Sequence, residues 1–238
     1  MNNQNIKVFG FLNSPTIEAF RILSANLVFN KKTLNVISVT SFNPGEGKTT
    51  VAMNLAIANA TSGTRVLYVD ADLRKPRQLK RYGADNALGL TDFSPETELK
   101  DVISQTDIEN LEWVTAGNRR VDSLEFLYSP SFDKFIEATS QQYQMVVIDS
   151  SSIGKFVDGA IIASKVAGVL VVTRSNLTRY KNIDRVQWQM KNVGANIIGI
   201  VINRVEKRDF KSYFVLQDNS SDLTKRLNLK LKLKQFYT

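Results

Sequence analysis

Val36-Ile37-Ser38-Val39-Thr40-Ser41-Phe42-Asn43-Pro44-Gly45-Glu46-Gly47-Lys48-Thr49-Thr50 is the stretch whose reading decides the fold. It opens on the short β-branched run Val36–Val39 and turns through a loop bearing Pro44, Gly45 and Gly47. It then continues into Thr49–Ala60, a run rich in Ala, Asn and Leu that Gly63 is placed to stop. A strand, a glycine loop and a helix in that order let backbone N–H groups curl inward around an anion, with the positive end of the helix aimed at the same point. On this reading Gly45, Glu46, Gly47, Lys48, Thr49 and Thr50 hold the phosphates of ATP. Lys48 reaches the β- and γ-phosphates, and the Thr49 hydroxyl ligates Mg²⁺. The strict form of the motif has glycine five residues before Gly47, where this chain has Phe42. The flanking order therefore carries the reading.

Apolar runs of the same kind recur at Val66–Val69, Met145–Ile148, Val169–Val172 and Ile197–Ile202. Each suits a strand buried on both faces. Helix-like stretches at Ser131–Thr139 and Ile183–Lys191 lie between them. The alternation predicts one α/β domain over residues 1–205, a doubly wound, mostly parallel sheet of the P-loop type. Ligands in such sheets sit at the carboxyl ends of the strands. There the sequence places Asp70 and Asp72, just past one apolar run, and Asp149 at the end of another. A lone strand-end Asp is usually a turn residue. Three converging beside a phosphate loop predict a magnesium and catalytic cluster, since Mg²⁺ takes few carboxylates together with phosphate and water.

Composition narrows the chemistry. The 238 residues contain no cysteine and no histidine. That excludes disulfides, thiolate nucleophiles, histidine metal sites and Ser-His-Asp triads, and leaves proton transfer to carboxylates, lysine or tyrosine. No apolar run approaches the ~20 residues of a spanning helix. Met1–Asn5 lacks the basic and apolar stretches of a signal peptide, so a cytoplasmic location is expected. The net charge of +8 suggests an anionic partner. Residues 206–238 hold eight basic and four acidic residues, and Leu227, Leu229, Leu231 and Leu233 alternate there with Asn228, Lys230, Lys232 and Lys234. Period two predicts a strand with an apolar and a basic face, and the lysines suit peripheral contact with anionic lipid. Residues 1–16 are expected to be loosely held. A helix is expected over 16–29, with Ile17, Phe20, Leu23 and Leu27 on one stripe and Glu18 and Arg21 paired on the other face.

These motifs together resemble the bacterial tyrosine kinases of capsule and exopolysaccharide operons, in their stand-alone cytoplasmic form, from about Ser14 to Val205. Pro44–Thr50 resembles the family's Walker A motif and Asp70-Ala71-Asp72-Leu73-Arg74 its Walker A′ motif. Ile148-Asp149 with the later Asp158-Gly159-Ala160 is similar to Walker B and its following segment, and Ile198–Val205 to the strand ending in a base-proximal Asn. The resemblance implies that Asp72 and Asp149 position Mg²⁺, that Asp70 takes the proton of an incoming tyrosine, and that Asn203 sits near adenine. Glu18-Ala19-Phe20-Arg21 resembles half of a ring-forming helix motif, implying a homo-oligomer. A membrane adaptor of polysaccharide export is the implied partner, and nucleic acid is not.

The chain departs from the family at four places. Ser150-Ser151-Ser152 stands where Walker B usually continues with two prolines, and Ser24 where the ring motif has its second arginine. Val121-Asp122-Ser123 stands where a Pro-Asn-Pro-like segment is expected. In place of a tyrosine cluster, the tail offers Tyr213 and Tyr237 as phospho-acceptor candidates. These departures keep a second reading open, an ATP-binding regulatory or scaffold subunit without tyrosine kinase activity. A third, a MinD- or ParA-like ATPase, would carry a signature lysine where this chain has Asn43.

Overall fold

The computed structural model describes residues 5–6, 8, 14–29, 34–74, 88–117, 121–175 and 177–205. Among the described residues eight strands form a single sheet. In chain order they are β1 (Asn5–Ile6), β2 (Val36–Ser41), β3 (Val66–Ala71), β4 (Ile103–Thr106), β5 (Leu111–Val114), β6 (Met145–Ser150), β7 (Gly168–Arg174) and β8 (Ile197–Asn203). Their spatial order is β1-β4-β5-β3-β6-β2-β7-β8. Every pairing is parallel except that of β4 with β5. The expected mostly parallel α/β sheet is the one observed.

Each of the five long apolar runs became a strand; four lie inside the sheet, and the fifth, β8, forms its edge and is only partly buried. Every residue of β2, β3 and β6 is buried, because helices cover both faces. On one face lies α2 (Lys48–Ala60), whose residues from Val51 to Ala60 are all buried. Outside it packs α1 (Ser14–Phe29), whose Phe20, Leu23 and Leu27 join the same cluster. The opposite face is covered by α4 (Ser123–Tyr128), α5 (Pro130–Gln142) and α6 (Asp158–Ser164), with Phe126, Phe132, Phe135 and Ile162 in its core. A short α3 (Leu99–Val102) precedes β4, and α7 (Tyr180–Asn192) buries Val186 and Met190.

Residues 1–16 were expected to be loosely held, and the structure corrects that at the described residues 5, 6 and 8. Asn5–Ile6 pairs with β4, Ile6 and Val8 are buried, and the Val8 N–H donates to Asp107 Oδ1 at 2.8 Å. Two ladder positions and one side-chain acceptor are enough to tie an edge segment down. The first helix also begins at Ser14, two residues before the expected Thr16. The basic tail from 206 to 238, with Tyr213 and Tyr237, lies outside the described residues.

Candidate active site

The phosphate loop runs from the end of β2 into α2. Gly45 and Gly47 take φ of 83° and 98°, left-handed values that disfavour a side chain. A Cβ at Gly47 would also stand 2.0 Å from Asn203 Nδ2. Gly47→Ala is therefore expected to weaken ATP affinity by tenfold or more while leaving the fold intact. Titration with a fluorescent ATP analogue beside a thermal unfolding scan checks this. Phe42 is absent from the positive-φ positions and packs against the cluster of Ile153, Val186 and Met190, so a glycine is not needed there.

Sheet register builds the carboxylate group. Asp70 and Asp149 are direct partners across β3 and β6, so the two side chains emerge side by side at the carboxyl edge. Asp72, one residue beyond β3, turns back so that its N–H donates to Asp70 Oδ1 at 3.2 Å. Lys48 opens α2 and reaches into this corner. Its Nζ lies 3.0 Å from Asp72 Oδ2 and 3.7 Å from Asp149 Oδ1. Tyr68 donates its hydroxyl to Asp149 Oδ2 at 3.2 Å.

Burial and crowding set the protonation equilibria. Asp70 is only 2% exposed; burial first, and then the charge of Asp149, push its pKa well above the ordinary carboxylate value. Burial likewise raises Asp149, against the opposing pull of Lys48. For Lys48, burial pulls the ammonium down, but Asp149 and Asp72 more than reverse it and its pKa ends above the lysine value. One buried cation thus faces three carboxylates, two of which hold protons unusually well.

The donors facing this corner are all hard oxygens, from Thr49, Asp72 and Asp149. Among the described residues no three acidic side chains close into a metal cage of their own. Hard oxygen donors suit Mg²⁺, which draws most of its ligands from phosphate and water. Asp149 Oδ1 is buried without a hydrogen-bond partner, and a hydrated cation would satisfy it.

Arg74 and Asp158 were not singled out as a pair by the sequence, being 84 residues apart. Arg74 grips Asp158 through Nε and Nη2 at 2.9–3.1 Å, and its guanidinium lies over the Phe156 ring at 4.8 Å. Asp158 is 1% exposed. The pair fastens the segment after β3 to the start of α6 and so fixes where Asp72 stands. Arg74→Ala leaves a buried carboxylate unpaired, and we expect about 3 kcal/mol of lost stability by urea unfolding.

The three departures that fall on described residues each have a local partner. Ser150 donates to Val39 O at 3.1 Å, Ser152 meets Ser41 at 3.3 Å, and Thr40 donates to Ser151 O at 2.8 Å. Hydrogen bonds to β2 thus hold the exit of β6. Asp122 caps α4 by accepting from the N–H groups of Leu124 and Glu125. Ser24 faces inward, accepting from Asn59 Nδ2 at 2.9 Å and donating to Phe20 O. Glu18 and Arg21 form the expected pair at 3.8 Å, both more than half exposed. Asn43, at the signature-lysine position, is tied to Glu46 through its N–H and Nδ2. Asn203 donates from Nδ2 to Glu46 O at 2.9 Å, so its amide is placed against the phosphate loop. Among the described residues no helix is long and apolar enough to cross a membrane.

The family model of the CobQ/CobB/MinD/ParA nucleotide-binding domain matches residues 37–218. A tyrosine-protein kinase, CpsD of Streptococcus pneumoniae serotype 4, is 33% identical over 191 residues, covering 79% of this chain and 84% of that protein. The kinase domain of the Escherichia coli tyrosine kinase ETK superposes with a TM-score of 0.78 at 28% identity, covering 87% of this chain and 84% of that one. The chimerical protein CapA2B2 superposes with a TM-score of 0.76 at 30% identity, covering 82% and 87%.

Proposed function

The chain belongs to the CobQ/CobB/MinD/ParA nucleotide-binding family and, within it, to the bacterial tyrosine kinases of capsule and exopolysaccharide synthesis, and from that membership we propose how its residues carry the reaction. It is an ATP-dependent protein-tyrosine kinase. The observation that supports the mechanism best is the pairing of Asp70 with Asp149 across the sheet, facing Lys48.

The phosphates of ATP lie over Gly45–Thr50, with Lys48 and the backbone N–H groups on the transferring end and Asn203 on the base side. Asp72, Asp149 and Thr49 would hold Mg²⁺, which when bound would neutralise phosphate charge. Asp70 accepts the proton of the tyrosine hydroxyl. Its raised pKa suits a base, because a carboxylate at the ordinary value takes up protons too weakly near neutrality. The phenolic oxygen bonds to the γ-phosphorus, the bond from that phosphorus to the bridging oxygen breaks, and ADP leaves. Positioning and charge neutralisation do most of the work in such a transfer.

Exposed Glu18 and Arg21 are the contacts proposed for a homo-oligomer. A membrane protein of polysaccharide export is the proposed partner, and its cytoplasmic segment the activator. The basic tail, with Tyr213 and Tyr237 as acceptors, would hold the kinase against anionic lipid at the cytoplasmic face. The absence of a tyrosine cluster favours one further reading, an ATP-binding regulator that transfers nothing to tyrosine.

Transfer of labelled γ-phosphate from ATP to a Glu/Tyr copolymer, with and without the partner's cytoplasmic segment, separates the two. The kinase labels the copolymer in at least one arm. Bound ATP with an unlabelled copolymer in both arms would leave only the regulator.

A further inference from the structure

Glu46 has a buried side chain that the mechanism above does not use. It is 0% exposed, and its carboxylate is bonded to Asn43 in the loop and to Thr178 beyond β7. Among the described residues its donors are neutral: the Asn43 N–H at 2.9 Å to Oε2, and Asn43 Nδ2 at 3.1 Å and the Thr178 hydroxyl at 2.5 Å to Oε1. A buried acidic group that relies on three neutral donors is sensitive to the loss of any one of them.

Thr178 is the donor from outside the loop. It follows β7, and its Oγ1 also accepts the Arg174 N–H at 2.9 Å, so the hydroxyl is oriented from both sides. Next to it the Ser175 N–H donates to Asn203 O at 2.9 Å, and Asn203 Nδ2 returns to Glu46 O at 2.9 Å. The hydrogen bonds therefore close a circuit. It runs from the phosphate loop through Glu46 to Thr178, along the ends of β7 and β8, and back to the loop through Asn203. The circuit joins the wall proposed for the base to the loop proposed for the phosphates.

We propose that Thr178 is a positioning residue for ATP, acting through Glu46 to hold the phosphate loop in its binding shape. The proposal rests on the reading that this loop binds ATP. Thr178 touches no phosphate. It anchors Glu46, which fixes Asn43 and hence the first half of the loop, so that the N–H groups of the second half point inward. A preformed loop binds the phosphates of ground state and transition state alike. Its loss therefore raises KM for ATP and leaves kcat nearly unchanged.

The test uses the full chain and a fluorescent ATP analogue with Mg²⁺, with KM and kcat measured in the copolymer assay. Wild type and Lys48→Met come first. If wild type fails to bind, or Lys48→Met binds equally well, the nucleotide reading itself fails. With binding established, Thr178→Val, which keeps the shape and removes the hydroxyl, is expected to weaken ATP about tenfold, as for a lost buried hydrogen bond. Thr178→Ser restores the hydroxyl and is expected to bind within about twofold of wild type. In the Glu46→Gln background Thr178→Val should add little, because the acceptor is already altered. Wild-type affinity in Thr178→Val overturns the proposal. So does equal weakening in Thr178→Ser, or a fall in kcat at unchanged KM. Melting temperatures of the free proteins accompany each variant, and an affinity loss that tracks melting temperature in Val and Ser variants alike also counts against it.

Discussion

Lys48→Met lowers phosphotyrosine formation by about a thousandfold or more, the range seen when a cation aimed at a transferring phosphoryl group is removed. The residue does two things here. It is the one lysine whose Nζ stands within 4 Å of both Asp72 and Asp149 among the described residues. It also opens the helix that follows the loop, and its side chain is only 12% exposed. Methionine keeps the stem and deletes the charge. Asp70, Asp72 and Asp149 then face one another with no cation between them, and the already raised pKa values of Asp70 and Asp149 rise further. The free protein loses stability too, by about 3 kcal/mol, since a buried charge partner has been removed. The sign with pH follows from the raised pKa of Lys48: its contribution is complete below the ordinary lysine value and is lost as pH climbs through the folded one. Wild type should therefore lose its stability advantage over Lys48→Met in strongly alkaline buffer. Urea unfolding of both proteins across pH reads this directly.

Asp70→Asn is expected to lower kcat by about 10²–10⁴, the usual contribution of a positioned general base. Unlike Lys48→Met, it should make the protein more stable near neutrality. Asp70 has its folded pKa raised by burial and by Asp149. Its folding contribution is therefore favourable below the unfolded carboxylate pKa and is lost as pH rises through the folded pKa, because ionising it inside the protein is unfavourable. Asparagine has nothing to ionise. The melting temperature of Asp70→Asn should exceed that of wild type at pH 7, and the difference should shrink on acidification. Loss of activity with a gain in stability would mark a site strained for function, whereas a structural carboxylate would lose both. The wild-type rate should rise with pH as Asp70 deprotonates, and the residual rate of Asp70→Asn should lack that limb.

The sheet was legible because buried parallel strands need long β-branched apolar runs, and five such runs stand out from their polar flanks. The phosphate loop was legible through Gly45, Gly47 and Lys48 despite Phe42, because what matters is left-handed backbone at the two glycines and a helix to follow. The short strands β1, β4 and β5 were not. β5 is four residues interrupted by Glu112, whose carboxylate is drawn to Gln105 and Tyr143, so no apolar run marks it. β1 has two residues, too few for any period to show.

In the site, the strand-end carboxylates could be named from the sequence, but their pairing could not. Asp70 meets Asp149 only because β3 and β6 lie side by side in that register. Arg74 with Asp158, and Glu46 with Thr178, are long-range partners that no local pattern announces. Asp158 before a small-residue helix and Glu46 between two loop glycines were visible as residues, while their partners were set by the order of the strands. The serine run after Asp149 stood out as a loss against the family pattern. The structure shows it instead as a set of hydrogen bonds to β2.

We propose that this corner moves a phosphoryl group from ATP to tyrosine with Lys48 and Asp70 as its working residues. Mass spectrometry of the full chain after incubation with ATP–Mg²⁺ and the partner's cytoplasmic segment tests it most directly, beside Lys48→Met and Asp70→Asn. Phosphotyrosine on Tyr213 or Tyr237 in wild type, absent from both variants, is the result predicted. Wild type that binds ATP through Lys48 and carries no phosphotyrosine would contradict it, as would phosphotyrosine at undiminished levels in Asp70→Asn.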